Sequence, residues 1–218
     1  MLNYINAEKK NFFKQLELFL NKRRRTDSIK NSKVKKIIKD VIKNQDKALI
    51  KYEKKFSKSK TITIKDLKFS SLEIKNIIKR LDKKTKKSID LAYSRIYKFH
   101  KLQKFKSYKI QDNYKNTLSY KSNPIDRVGV YVPGGTASYP SSVLMNCIPA
   151  IIAGVKKIYM TTPTINKKYN AAVIYAAKKC KILEIYKVGG AQAIAAFTYG
   201  TRTVKKVDKI VGPGNEFV

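Results

Sequence analysis

Residues 126–154 read Asp-Arg-Val-Gly-Val-Tyr-Val-Pro-Gly-Gly-Thr-Ala-Ser-Tyr-Pro-Ser-Ser-Val-Leu-Met-Asn-Cys-Ile-Pro-Ala-Ile-Ile-Ala-Gly, and this stretch decides the fold. The β-branched run Val128 to Val132 reads as a buried strand. Pro133-Gly134-Gly135 stops it and lets the backbone turn close to a ligand. Ser138 or Tyr139 stands before Pro140, which suits the first turn of a helix. Val143, Leu144, Ile148, Ile151 and Ile152 give that helix an apolar side, and Gly154 closes it. Strand, glycine-rich turn and helix N-terminus together present unpaired N–H groups suited to a phosphate. The plainer reading is a β-turn-α unit packed in an α/β core.

The same unit repeats downstream. Strands are predicted at 128–132, 157–162, 184–188 and 207–211, with helices at 140–153, 168–180 and 191–199 between them. Strands alternating with helices of this length imply right-handed crossovers and a parallel sheet. Upstream the pattern is helical. Phe12, Phe13, Leu16, Leu18, Phe19 and Leu20 mark a first helix, and Val34, Ile37, Ile38, Val41, Ile42, Ala48, Leu49, Tyr52 and Phe56 continue at helical spacing. Asn44-Gln45-Asp46 interrupts that run and predicts two helices joined by a tight turn. Thr61 to Ile64 reads as a short strand. Ser70 or Ser71 can cap the next helix, with Glu73 in its first turn. Ile89 to about Gln103 forms a long helix, and 105–125 a loop with a short hairpin. The expected division is an N-terminal helical arm at 1–27, a mainly helical segment at 28–125 and an α/β part at 126–218.

The chain has 218 residues and is 43% hydrophobic, enough to bury a core. It shows no apolar run of bilayer length and no signal-peptide segment. Cys147 and Cys180 form no CxxC, which suggests reduced thiols in a cytoplasmic protein. The net charge of +34 raises nucleic-acid binding as an alternative function. Two features weigh against it. Arg stands only at 23, 24, 25, 80, 95, 127 and 202, so the excess is lysine, and it is spread along the chain. Abundant Lys, Asn, Ile and Tyr share A/T-rich codons, so a genome drifting toward A+T would enrich them without a polyanionic partner.

Three predicted strand ends carry ligand-friendly turns: Tyr131-Val132-Pro133-Gly134-Gly135, Val188-Gly189-Gly190-Ala191-Gln192 and Val211-Gly212-Pro213-Gly214-Asn215. Ligands of open parallel sheets bind at the carboxyl ends of strands, so all three lie on the functional edge. Glycine pairs there free N–H groups for an anion. Gln192 and Asn215 offer amide donors and acceptors for a ribose or base, and Tyr131 a flat face with a polar tip. None of the turns is GxGxxG. The residues by themselves point to a nucleotide-type ligand on an α/β sheet.

Taken together, these segments resemble histidinol dehydrogenase. The matching runs are Arg127 to Gly135, Tyr139 to Asn146, Ile148-Pro-Ala150, Ala153-Gly-Val155, Val188 to Ala196, Tyr199-Gly-Thr201 and Lys206 to Asn215. Ile38 to Leu49 and Arg95 to His100 look like the family's N-terminal helices, so the resemblance spans nearly the whole chain. One departure is Gln45, where the family usually has Gly before Asp-x-Ala-Leu. The resemblance implies an incomplete Rossmann-like NAD domain, and oxidation of L-histidinol through the aldehyde to L-histidine with two NAD. It also implies a homodimer with zinc holding the substrate. Tyr131, Gln192 and Asn215 match the family's cofactor positions. The family's zinc ligands and catalytic Glu-His pair fall beyond Asn215, so no metal ligand and no catalytic residue is carried over. His100, the lone histidine, matches a helical position. The expectation is a truncated form with the NAD half-site alone, an inactive folded remnant being the other alternative.

Overall fold

A computed structural model describes residues 5–24, 28–57, 62–134, 139–164 and 169–214. The chain divides into two compact units, residues 1–36 and 37–218. The first contains helix α1 (Phe12–Arg24) and the start of α2 (Ser28–Asn44). The rest of α2 and all later elements belong to the second.

The break at residue 45 is real. Gln45 takes φ 48° and ψ −126° between α2 and α3 (Asp46–Phe56). Its N–H donates to the Val41 carbonyl at 2.8 Å, while its own carbonyl accepts from Ala48 N–H at 3.0 Å. One residue therefore ends a helix and starts the next. The departure from the family's Gly does not remove the break; it places a side chain at a positive φ that glycine favours.

The predicted strand at 61–64 is not formed where the structure describes it. Thr61 lies outside the described residues, and Ile64–Leu67 is one turn of 3-10 helix. The Asp66 carboxylate accepts from both Thr63 N–H and Thr63 Oγ1 at 2.8 Å. That local capture competes with a ladder and outweighs β-branched propensity. Ser70 is the cap of α4 (Ser71–Lys79): Glu73 N–H donates to Ser70 Oγ at 3.1 Å, and Ser70 N–H to Glu73 at 2.7 Å. Asp82 caps α5 (Lys83–Lys101). The hairpin follows as β1 (Tyr108–Gln111) and β2 (Thr117–Tyr120), exposed on both strands.

The α/β part runs β3 (Arg127–Tyr131), α6 (Pro140–Ala153), β4 (Lys157–Thr161), α7 (Ala171–Lys179), β5 (Glu184–Tyr186), α8 (Gly190–Tyr199) and β6 (Lys209–Val211). The four strands form a parallel sheet in the order β5-β4-β3-β6. α6 opens on Pro140 and closes at Gly154, which takes φ 94°. The edge of β5 is covered by residues 67–69: Phe69 N–H donates to Ile185 O at 2.9 Å, and Lys187 N–H to Leu67 O at 2.8 Å.

Side chains alternate across the sheet as period-two strands require. Val128, Val130, Ile158, Met160 and Ile185 point to one face, which α4 to α7 cover. Tyr131, Tyr159 and Tyr186 point to the other, under α3 and α8 with Leu49, Tyr52, Ala196 and Phe197. The arrangement is three-layered, as the predicted α/β class requires. Cys147 on α6 and Cys180 after α7 are free, buried thiols brought side by side; the hydrogen bond between them and then burial raise the Cys147 thiol well above its ordinary value.

Candidate functional site

The strand order brings the strand-end turns together. β3 is flanked by β4 and β6, so the turns after these strands meet around Tyr131. Gly134, after β3, and Gly189, after β5, both back onto Pro163, which follows β4. A Cβ on Gly189 would lie 2.5 Å from Pro163 Cβ, and one on Gly134 would collide with the Pro163 carbonyl oxygen. Gly212, at φ 135°, sits against the Tyr131 carbonyl oxygen, where any Cβ would collide as well. These glycines are required because three backbones converge within van der Waals contact. Thr161 Oγ1, bonded to the Val188 carbonyl, ties the β4 and β5 turns together.

Tyr131 and Gln192 are brought to this edge, and both are buried. The Tyr131 hydroxyl accepts from Gly190 N–H at 3.2 Å. Burial raises its pKa, as does the nearby Glu53 charge, against the lowering effect of Gly190. Gln192 Nε2 donates to Glu53 Oε1 at 3.0 Å, and the same oxygen accepts from Gly189 N–H at 3.1 Å. The glycine pair 189–190 therefore does not offer two free N–H groups to an anion, as the sequence suggests. Both are engaged inside the protein, because buried backbone donors need partners. Asn215 and Gly135 lie outside the described residues.

Glu53 is the member of this cluster that sequence reading passed over. It is 3% exposed, on α3. Burial pushes its carboxyl pKa up, against the lowering effect of the Gln192 and Gly189 donors. The signal was present: Leu49, Tyr52, Glu53 and Phe56 stand at helical spacing, which puts Glu53 on the inward face among lysines that face water. α3 is held in place by Asp46, whose carboxylate accepts from Thr203 N–H at 3.3 Å and Thr203 Oγ1 at 2.7 Å.

Beside Glu53 a cavity of about 260 Å³ opens at the carboxyl ends of β4 and β5, lined in part by Ser57, Thr164, Tyr169 and Lys187. Lys187 Nζ is bonded to Glu73 at 2.6 Å and lies 4.6 Å from the Phe69 ring centre. Among the described residues no three His, Cys, Asp or Glu side chains converge as a metal site would need. These residues therefore do not fit zinc. His100 is on α5, its Nδ1 2.6 Å from Gln103 Oε1 in a local, exposed contact. No described helix is long and apolar enough to cross a membrane.

The sequence matches the histidinol dehydrogenase family over residues 20–218. The chain belongs to that family. It is 55% identical to a histidinol dehydrogenase of Pelagibacter ubique over 218 residues, covering all of this chain and 50% of that protein. A histidinol dehydrogenase of Acinetobacter baylyi is 44% identical over 185 residues, covering 85% of this chain and 43% of that protein. The crystal structure of histidinol dehydrogenase from Elizabethkingia anophelis superposes with a TM-score of 0.80 at 40% identity, over 86% of this chain and 43% of that one. The chain thus spans about half the length of the curated relatives it matches. At that identity the family's fold accounts for the parallel sheet and its flanking helices.

Proposed function

We propose that this chain supplies the NAD-contacting half-site of an enzyme that oxidises L-histidinol to L-histidine. The observation that carries the reading is the convergence of Tyr131 and Gln192 at the carboxyl edge of the sheet, in a chain of the histidinol dehydrogenase family. NAD would supply the acceptor for a hydride, once for the alcohol and once for the aldehyde. Tyr131, Gln192 and Asn215 are the positions proposed to meet it. The fit favours the sugar or amide parts of the cofactor over its phosphates, since Gly189 and Gly190 already spend their N–H groups on Glu53 and Tyr131. Zinc, the homodimer and the proton-transfer groups of the reaction are proposed to come with sequence homologous to the other half of the relatives.

A chimera tests this. Residues 1–218 are fused to the second half of the Pelagibacter ubique relative, whose first half they match at 55% identity. Histidinol-dependent formation of NADH, followed by its absorbance, is the expected result. A folded chimera that neither binds NAD nor forms NADH would overturn the assignment. Nucleic-acid binding is not favoured: the fold and family account for the chain without a polyanionic partner.

A further inference from the structure

We propose that Glu53 is a positioning residue that fixes which end of the Gln192 amide faces the ligand, so that Gln192 presents its carbonyl oxygen as a hydrogen-bond acceptor. The inference rests on the NAD reading above and adds to it a residue and a direction of recognition.

Glu53 Oε1 takes the Gly189 N–H and is therefore an acceptor, so the amide end of Gln192 that meets it must be the NH2 group. Gln192 Nε2 is accordingly 3.0 Å from Glu53 Oε1, and both side chains are buried at 2–3% exposure. The orientation is reinforced by Gly189, whose N–H donates to the same oxygen at 3.1 Å. Oε1 thus stands at the start of α8 between a backbone donor and a side-chain donor. The first holds the oxygen in place and the second leaves the carbonyl end of Gln192 turned away from Glu53. That end lies beside Gly190: a Cβ built on Gly190 would be 3.1 Å from Gln192 Oε1. Gly190 in turn donates its N–H to Tyr131, the other side chain of the edge. An acceptor in this place recognises a donor, which in NAD means a ribose hydroxyl or a carboxamide or amino N–H.

Glu53 reaches this point from α3, a helix that is 136 residues away in sequence from Gly189. Its seat is set by the break at Gln45 and by the bonds from Thr203 to Asp46. None of these groups needs to touch the ligand. Glu53 acts through Gln192 and Gly189.

The test uses the 218-residue chain and titrates it with NAD by calorimetry. Glu53→Ala is expected to weaken binding about ten-fold, the scale of one lost buried hydrogen-bond partner. Glu53→Gln keeps an oxygen to accept both donors and should remain within about two-fold of the wild type. A merely structural role is separated by a double-mutant cycle: in a Gln192→Ala background, Glu53→Ala should cause no further loss, because it acts through an amide that is gone. Additive losses, or unchanged affinity for Glu53→Ala, would overturn the proposal. Should Glu53→Ala not fold, Glu53→Asp withdraws the oxygen by one methylene and reads the same way. Failure of the NAD reading looks different: the wild-type chain does not bind. The Glu53 claim is then judged by exchange protection of the Gln192 side-chain amide and Gly189 N–H. Both protected in the wild type and lost in Glu53→Ala supports it; no change overturns it.

Discussion

Gln45→Gly should stabilise this protein. Gln45 joins α2 to α3 at φ 48° and ψ −126°, a combination that a Cβ makes costly. A non-glycine residue held in a sparsely populated region of this kind carries about 1–3 kcal/mol of strain. Glycine removes it, and its greater freedom in the unfolded chain returns about 0.5–1 kcal/mol. The Gln45 side chain is exposed, so its deletion sacrifices little packing. The net gain is then about 1 kcal/mol, which in a chain of this size raises Tm by about 2–4 °C. Urea unfolding followed by far-UV circular dichroism measures it, with Gln45→Ala as the control. Alanine keeps the Cβ and should stay near the wild type. If glycine proved no more stable than alanine at equal m-values, the strain assigned to this junction would be wrong. The junction matters because α3 carries Glu53 to the site.

Further outcomes follow from the same structure. Asp40 accepts from Lys51 at 2.6 Å, Asn44 at 2.6 Å and Tyr52 at 2.8 Å, which hold its pKa at about 2 against an ordinary 3.8. A depressed carboxylate contributes stability that is full above 3.8 and lost as pH falls through about 2. Because Lys51 is mostly in water, Asp40→Asn should cost only about 1 kcal/mol at neutral pH, read by urea titration. Glu53 behaves oppositely. Burial raises its pKa above 4.5, so its contribution is full below 4.5 and declines as pH rises through the raised value. Glu53→Gln should flatten that slope in a pH series of melting curves, and an unchanged slope would refute it. Gly189→Ala drives a Cβ to within 2.5 Å of Pro163 and should destabilise by about 1–3 kcal/mol, measured by thermal unfolding. Cys147 and Cys180 should resist a thiol reagent in the folded protein and react on unfolding, since both are buried and the Cys147 pKa is raised.

Local chemistry made much of this molecule legible in its sequence. Val128 to Val132, the turn at Pro133 and the helix from Pro140 to Gly154 declare a strand, a break and a helix through residues that act on their own backbone. Repetition of that unit implies a parallel sheet, since only crossovers of helical length can join such strands. Gln45, Ser70 and the hairpin at 108–120 are similarly local. Where two local preferences competed, at Thr63 to Ile64, the carboxylate of Asp66 prevailed over β-branching, and no periodicity argument could weigh the two. The tertiary structure alone decided the use of the site. Sequence showed glycines and supposed free N–H groups; packing put Glu53 and Tyr131 on those same N–H groups, from positions 136 and 59 residues distant. Strand order explains part of this, because β3 and β5 flank β4 and the Tyr131 hydroxyl reaches the turn after β5 across it. Hydrogen bonds satisfied across such distances leave little trace in local pattern, beyond one glutamate on the apolar face of its helix.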